Sequence, residues 1–248
     1  MPISDTTLAQ LQSLNHHERS QAALQLQPGS DSDADAVAAL VRVLCSDDDL
    51  NVVEDATWVL VRHGAAATDA LLSAIGHEDA RARHNIVHAL GKLADARAVP
   101  ALIDAAQDTD TAVRRKAVYA LGQIGDTRAI DVLIARLDDP LDEIRLTAQE
   151  ALRGFGAAAL SPLIAALASE SAQVRELAAS LLGDIGDERA VEPLVAALET
   201  DAVEVRFAIV EALGAIGGTQ IQPVIERLRD DPQPPVRAMA NAVAKRLG

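Results

Sequence analysis

The feature that most constrains this chain is an internal repeat with a period of about 31 residues. A Val–Arg, Ile–Arg or Ala–Arg dipeptide recurs, and the successive spacings of its arginine are 31, 31, 30, 31 and 31 residues. The six arginines are Arg83, Arg114, Arg145, Arg175, Arg206 and Arg237. The register extends backwards with Glu54 and then Arg19 at the arginine position, which gives about eight units in 248 residues. A period of this length indicates a solenoid in which each unit packs on its neighbours.

Each unit is predicted to form two helices. Apolar residues stand at positions −1, +3, +6, +7 and +10 relative to the arginine, which is the spacing of a helix with one buried face. This helix ends at a glycine such as Gly125 or Gly186, typical of the left-handed residue that follows a helix. Asp126 and Asp187 come next and are predicted to cap the following helix. The sequence therefore predicts an all-α solenoid of about eight helix pairs.

Four glycines fall inside the second helix of their units, eight residues after the arginine. They are Gly91, Gly122, Gly183 and Gly214. A glycine in the middle of a helix costs about 1 kcal/mol relative to alanine. Glycine at one register position in four units therefore predicts that stacked helices approach closely there.

Two segments carry a specific resemblance. DTAVRRKAVYALGQIGDTRAIDVLIARL and SAQVRELAASLLGDIGDERAVEPLVAAL resemble HEAT repeats of the phycobilisome-lyase type. The resemblance is strongest over residues 50–248, and it implies a right-handed α-α superhelix. Proteins with such repeats include bilin lyases, phycobilisome-degradation factors, the iron-dependent deoxyhypusine hydroxylase and protein-binding scaffolds, so the resemblance specifies the fold better than the function.

We predict one domain over residues 1–248. Residues 1–34 form a divergent N-terminal cap, residues 35–234 hold the repeats of about 31 residues, and residues 235–248 form a C-terminal capping helix. The polar segment 27–35 stretches the first spacing, from Arg19 to Glu54, to 35 residues.

Charge restricts the class of partner. The formal net charge of −15 argues against a nucleic-acid backbone or an anionic membrane surface as the partner, because both require clustered cations. The N-terminal residues resemble no secretory leader, and no apolar run is long enough to span a membrane. We therefore expect a cytoplasmic protein.

The resemblance implies that the arginine-bearing helices line a concave face. If packing uses the apolar positions, then +1, +2, +5 and +9 are left for function. The residues that we predict to form a binding patch are His63, His84, Asn85, His88, Lys92, Arg115, Lys116, Tyr119 and Gln123. The six repeat arginines are assigned a structural role, and Trp58, at +4 in this register, is predicted to pack in the core.

The histidine pair raises the question of a metal. His84 and His88 are one helical turn apart, so they share a helix face. The resemblance places the iron ligands of deoxyhypusine hydroxylase in His-Glu dipeptides at +1 and +2. Here His84 is followed by Asn85, and no other unit has histidine at +1, which argues against a di-iron hydroxylase. We predict no cofactor and no catalytic residue, and keep a weakly held metal at His84 and His88 as a candidate.

The sequence favours a non-enzymatic scaffold whose concave patch binds a protein partner with an acidic surface. One alternative is a bilin lyase, isomerase or chromophore-handling factor, which would bind a bilin as substrate and a phycobiliprotein or a paired HEAT-repeat subunit as partner. Another is an accessory factor for the assembly of a metal or iron–sulfur centre.

Overall fold

The chain is an all-α solenoid of HEAT-like helix pairs, as predicted. The computed structural model describes residues 3–29, 33–198 and 202–247, and these residues include no β-strand. Residues 30–32 of the polar segment 27–35 lie outside the described residues. The chain divides into two compact units, Met1–Asp126 and Thr127–Gly248.

The first unit contains four helix pairs. Its helices are α1 Asp5–Gln10, α2 His16–Gln25, α3 Asp33–Ser46, α4 Leu50–His63, α5 Ala65–Ala74, α6 Ala80–Leu93, α7 Val99–Ala105 and α8 Thr111–Ile124. A short 3-10 turn, Ala96–Ala98, precedes α7. Pro100 lies in the first turn of α7, where a missing N–H is tolerated.

The second unit repeats the arrangement, which brings the described part of the chain to eight pairs. Its helices are α9 Ile130–Ala135, α10 Asp142–Phe155, α11 Leu160–Ala166, α12 Ala172–Ile185, α13 Val191–Ala197, α14 Val203–Ile216, α15 Gln222–Leu228 and α16 Pro234–Leu247. Asp187 caps the 3-10 turn before α13, with its side chain accepting a hydrogen bond from the Arg189 N–H.

The second helix of each pair buries a stripe of small and aliphatic side chains. In α8 the buried residues are Val113, Ala117, Val118, Ala120 and Leu121. They stand at −1, +3, +4, +6 and +7 from the repeat arginine, whereas Ile124 at +10 is only half-buried. Compared with the prediction, the buried stripe gains position +4 and lacks position +10. Position +4 is buried because a helix returns to the same face at +3, +4 and +7.

The repeat arginine connects its own loop to the next repeat. Nη1 of Arg83 donates hydrogen bonds to the carbonyl oxygens of His77 and Glu78, both at 2.9 Å. Nε and Nη2 donate to the two carboxylate oxygens of Asp108, in the following repeat, at 2.7 and 2.8 Å. Arg206 pairs with Asp231 at the same separation of 25 residues. The repeat arginine therefore has a structural role, because it joins its own loop to the following repeat.

Gly91, Gly183 and Gly214 lie at close contacts between neighbouring second helices, as predicted. A Cβ on Gly91 of α6 would lie 2.8 Å from the Cβ of Ala120 in α8. A Cβ on Gly183 of α12 would lie 2.8 Å from the Cα of Ala212 in α14. Neither position has room for a side chain, so glycine is required for the stacking distance.

The predicted register is wrong by one residue in α4. Arg83 lies four residues after Asp79, the N-cap of α6, whereas four residues after Asp49, the N-cap of α4, stands Val53. Val53 is buried, and Glu54 is turned towards solvent. Val53, and not Glu54, therefore occupies the arginine position, and every face assignment in α4 moves by one residue.

The loop before α6 changes together with Val53. His77 stands there where Asp108 stands before α8, two residues ahead of the N-cap. Its Nδ1 accepts a hydrogen bond from the Asp79 N–H at 3.1 Å, as a carboxylate oxygen of Asp108 does from the Asp110 N–H at 2.8 Å. Between α4 and α6, Val53 thus replaces the arginine and His77 replaces the aspartate. The loop before α6 keeps its hydrogen bond to the N–H of the capping residue.

Candidate functional site

Three second helices of the first unit, α4, α6 and α8, pack side by side. Positions +1, +5 and +9 of each helix share one side, because residues four apart lie one turn above another. We call the surface that they form, together with Lys116, the α4–α6–α8 face. Its residues are Glu54, Trp58, Arg62, His84, His88, Lys92, Arg115, Lys116, Tyr119 and Gln123.

Glu54 of α4 is the centre of a small network on this face. The Nε2–H of His88 donates a hydrogen bond to its carboxylate at 3.1 Å, and Nζ of Lys92 lies 3.4 Å from its other oxygen. The same Nζ lies 4.3 Å from the centre of the Trp58 ring. Burial alone would raise the pKa of Glu54, but the hydrogen bond from His88 and the charge of Lys92 outweigh it and lower the pKa. Glu54 is therefore ionised and shared by two donors of α6.

The two large aromatic side chains of the face are exposed. Trp58 is 51% exposed and Tyr119 is 53% exposed. They are the only Trp and the only Tyr of the chain. The prediction that Trp58 packs in the core is wrong, because the corrected register moves it from the buried +4 position to the outward +5 position, in line with His88 and Tyr119.

A cleft of about 450 Å³ opens between α6 and α8. It is lined by His88, Gly91, Lys92, Ala94, Lys116, Tyr119, Ala120 and Gln123. Nζ of Lys116 lies 5.8 Å from the centre of the Tyr119 ring. Gly91 lacks a side chain because of its contact with Ala120, so the helix contact that requires a glycine also leaves the floor of the cleft open.

The electrostatics of the face disfavour additional positive charge. Burial lowers the pKa of His84 and His88 below the ordinary 6.5, and the nearby ammonium of Lys116 lowers both further. Burial also lowers the pKa of Lys116, and repulsion by Arg115 and Lys92 adds to that shift. Both imidazoles are therefore neutral at pH 7, while the lysines supply the positive charge.

Two of the predicted patch residues lie elsewhere. Asn85 is buried, and its Nδ2 donates a hydrogen bond to the carbonyl oxygen of Leu44 at 2.9 Å. The Nε2–H of His63 donates to the carbonyl oxygen of Leu26 at 2.8 Å, next to the end of α2. Both side chains hold neighbouring helices in place, so neither is available on the face.

The other seven residues of the predicted patch lie on the α4–α6–α8 face. They are His84, His88, Lys92, Arg115, Lys116, Tyr119 and Gln123. Sequence reasoning missed Glu54, Trp58 and Arg62. Counting four residues from the N-cap Asp49 gives the correct register in α4, but the sequence offers three consecutive aspartates as the cap.

The face differs from the rest of the chain in charge. The protein carries a formal net charge of −15 and has three lysines, of which Lys92 and Lys116 lie on this face. Within the described residues, no three His, Cys, Asp or Glu side chains are grouped closely enough to hold a metal ion. No helix in the described ranges is long and apolar enough to cross a membrane.

Two of three solved structures that resemble this chain superpose well enough to show the same architecture. Importin beta superposes with a TM-score of 0.63 and 14% identity, covering 99% of this chain and 41% of its own. The archaeal HEAT-like repeats protein from Thermococcus onnurineus has a TM-score of 0.53 and 16% identity, covering 85% of this chain and 96% of its own. The complex of CpcE and CpcF of phycocyanin lyase from Nostoc sp. has a TM-score of 0.44 and 23% identity, covering 98% and 93%.

No curated protein sequence matches the chain significantly. A family profile that describes HEAT repeats matches residues 68–153 and 160–244, which together make up more than half of the chain. The chain therefore belongs to the HEAT-repeat family.

Proposed function

We propose that this protein is a scaffold that binds an acidic protein partner on the α4–α6–α8 face. The observation that supports this function is the concentration on one face of the only Trp, the only Tyr and two of the three lysines. Chance does not favour such a distribution in a chain with a net charge of −15.

The aromatic residues are suited to supply affinity. Trp58 and Tyr119 expose about half of their surface. Tryptophan and tyrosine are enriched among residues whose truncation costs at least about 2 kcal/mol of binding free energy. A partner that covers both rings would gain most of its affinity from them.

The lysines are suited to supply specificity. Complementary charge raises the rate of encounter and disfavours partners of the same sign. On a chain whose net charge repels acidic proteins in general, a local cationic face restricts an acidic partner to one orientation.

A second candidate function is the binding of a small carboxylate-bearing molecule, such as a bilin, in the cleft between α6 and α8. The cleft of about 450 Å³ favours it, since sites for small molecules measure about 300–1,000 Å³. Lys92 and Lys116 would pair with the carboxylates, and His88 is the nearest group for moving a proton.

An affinity experiment separates these functions. Immobilised protein is incubated with lysate of the source organism, and bound proteins are identified by mass spectrometry while absorption spectra of the eluates are recorded. The double variant Lys116→Glu/Tyr119→Glu tests the face, and Lys245→Glu, an exposed lysine of α16, is the matched control.

We expect one acidic protein to be retained by the wild type and by Lys245→Glu, and to be lost with the double variant. A coloured eluate would favour the small-molecule function instead. The same set of proteins on all three baits would contradict any role of the face.

A further inference from the structure

The two lysines of the α4–α6–α8 face are not equivalent. Nζ of Lys92 is already paired with the carboxylate of Glu54, at 3.4 Å. Nζ of Lys116 has no carboxylate oxygen of the described residues within 4.0 Å, and its recorded contact is the ring of Tyr119. One lysine of the face is therefore neutralised inside the protein and the other is not.

We infer that the partner inserts a single carboxylate into the cleft between α6 and α8, where it pairs with Lys116, and that Glu54 occupies the place of a second carboxylate at His88 and Lys92. This inference rests on the proposed function and specifies the chemical group that the face recognises. It predicts how many acidic side chains the partner presents and which lysine receives them.

The surroundings of Lys116 favour a carboxylate. The ammonium lies at the wall of the cleft beside an exposed ring, with the amide of Gln123 on the same helix as a further donor. Among the residues that line the cleft, Lys92 is already paired with Glu54 and the imidazole of His88 is neutral at pH 7. Lys116 is therefore the cation of the cleft lining that is left for one negative charge.

Glu54 excludes a second acidic group. Its two oxygens accept from His88 and Lys92, so the donors that would bind a second carboxylate are in use. A carboxylate of the partner placed there would face the negative charge of Glu54 at short range, and two such charges repel. The free protein therefore discriminates against partners with two adjacent acidic residues at this point.

Lysine-resolved NMR tests this directly, because the chain has only three lysines. Reductive methylation with ¹³C-formaldehyde gives one dimethylamino signal for each lysine and keeps its charge. The probes are three capped hexapeptides of glycine and phenylalanine that carry one glutamate, one glutamine in its place, or two adjacent glutamates. The signals of Lys116, Lys92 and the distant control Lys245 are followed during titration.

For the wild type we expect the one-glutamate peptide to shift the Lys116 signal in a saturable manner, with little change at Lys92 and none at Lys245. The glutamine peptide should bind at least threefold more weakly. Replacing Lys116 with the neutral Gln should abolish this preference, and Glu54→Gln should bind the two-glutamate peptide at least fivefold more tightly than the wild type.

A shift at Lys92 instead of Lys116, equal binding of the glutamate and glutamine peptides, or an unchanged two-glutamate affinity in Glu54→Gln would each overturn the inference. The circular dichroism of both variants verifies that they are folded. If no lysine shifts but the lysate partner is still lost with Lys116→Glu/Tyr119→Glu, this inference fails while the proposed function survives. If the lysate partner does not depend on the face either, both fail.

Discussion

Helices α8 and α12 share a frame, by which we mean the buried residues that pack between repeats, and they differ in the surface that they present. Three buried positions carry the same residues in both, Val113 and Val174, Ala117 and Ala178, Leu121 and Leu182. The outward +1, +5 and +9 positions carry Arg115, Tyr119 and Gln123 in α8. They carry Glu176, Ser180 and Asp184 in α12.

This difference separates what stacking requires from what it leaves free. Each repeat must present the same volumes to its neighbours, so its buried stripe is restricted to small and aliphatic residues. The outward positions form ion pairs between helices, such as Arg153 with Asp184, but they are not part of the buried stripe. The cationic, aromatic surface of α8 and the acidic surface of α12 are therefore not required by the stacking of the repeats.

The comparison implies that the repeat arginine is equally important in both units. We expect Arg83→Leu and Arg206→Leu each to lower the free energy of unfolding by about 3 kcal/mol, because each leaves a largely buried carboxylate without its partner. The side chains of Asp108 and Asp231 are 11% and 3% exposed. Urea denaturation followed by circular dichroism measures the change.

The control for this prediction is Arg189→Leu. Arg189 also pairs with an aspartate, Asp187, but its side chain is 70% exposed. An exposed ion pair contributes less than about 1 kcal/mol. A loss in Arg189→Leu as large as in Arg83→Leu, or a loss confined to one of the two repeat arginines, would contradict the idea of a common frame.

The helix glycines give a smaller test of the same frame. We expect Gly183→Ala to lower the free energy of unfolding by about 1–3 kcal/mol, because its Cβ would overlap the backbone of Ala212. Gly91→Ala should act in the same direction in the first unit. Gly154→Ala, where a Cβ would meet nothing within 4 Å, should instead stabilise by up to about 1 kcal/mol. Thermal unfolding of the three variants provides the comparison, and stabilisation by Gly183→Ala would refute close stacking.

The fold was predictable from the sequence because the frame repeats, and each unit gives independent evidence for it. The register of α4 was not, because three consecutive aspartates, Asp47, Asp48 and Asp49, precede the helix and any of them fits as a cap. The structure resolves this ambiguity, since Asp49 accepts hydrogen bonds from the N–H groups of Asn51 and Val52.

The composition of the face was predictable only in part. Counting along a helix shows which side a residue is on, but not what the neighbouring helix offers it. Asn85 and His63 do not lie on the face because each donates a hydrogen bond to a main-chain carbonyl oxygen elsewhere. The acceptors are Leu44 for Asn85 and Leu26 for His63. Such partners depend on three-dimensional neighbours that no repeat spacing encodes.

The smallest expected effect concerns pH, and it again distinguishes the two units. All six histidines precede residue 89, so the imidazole groups of the chain are confined to the first unit. Burial and then the charge of Lys116 lower the pKa of His88, and the same two causes act on His84 together with Arg115. The charged groups around the two rings are Glu54, Lys92, Asp110, Arg115 and Lys116.

Because the folded-state pKa of both rings lies below 6.5, the unfolded chain binds more protons than the folded one as the pH falls below that value. The stability contributed by the neutral rings is therefore complete above pH 6.5 and decreases below it. We expect the free energy of unfolding, measured in urea from pH 7.5 to 5.5, to decline less in His84→Gln/His88→Gln than in the wild type. Gln123→Ala, a substitution on the same face that removes no titratable group, should retain the wild-type slope. An equal slope in the double variant would mean that the acid sensitivity originates outside the α4–α6–α8 face.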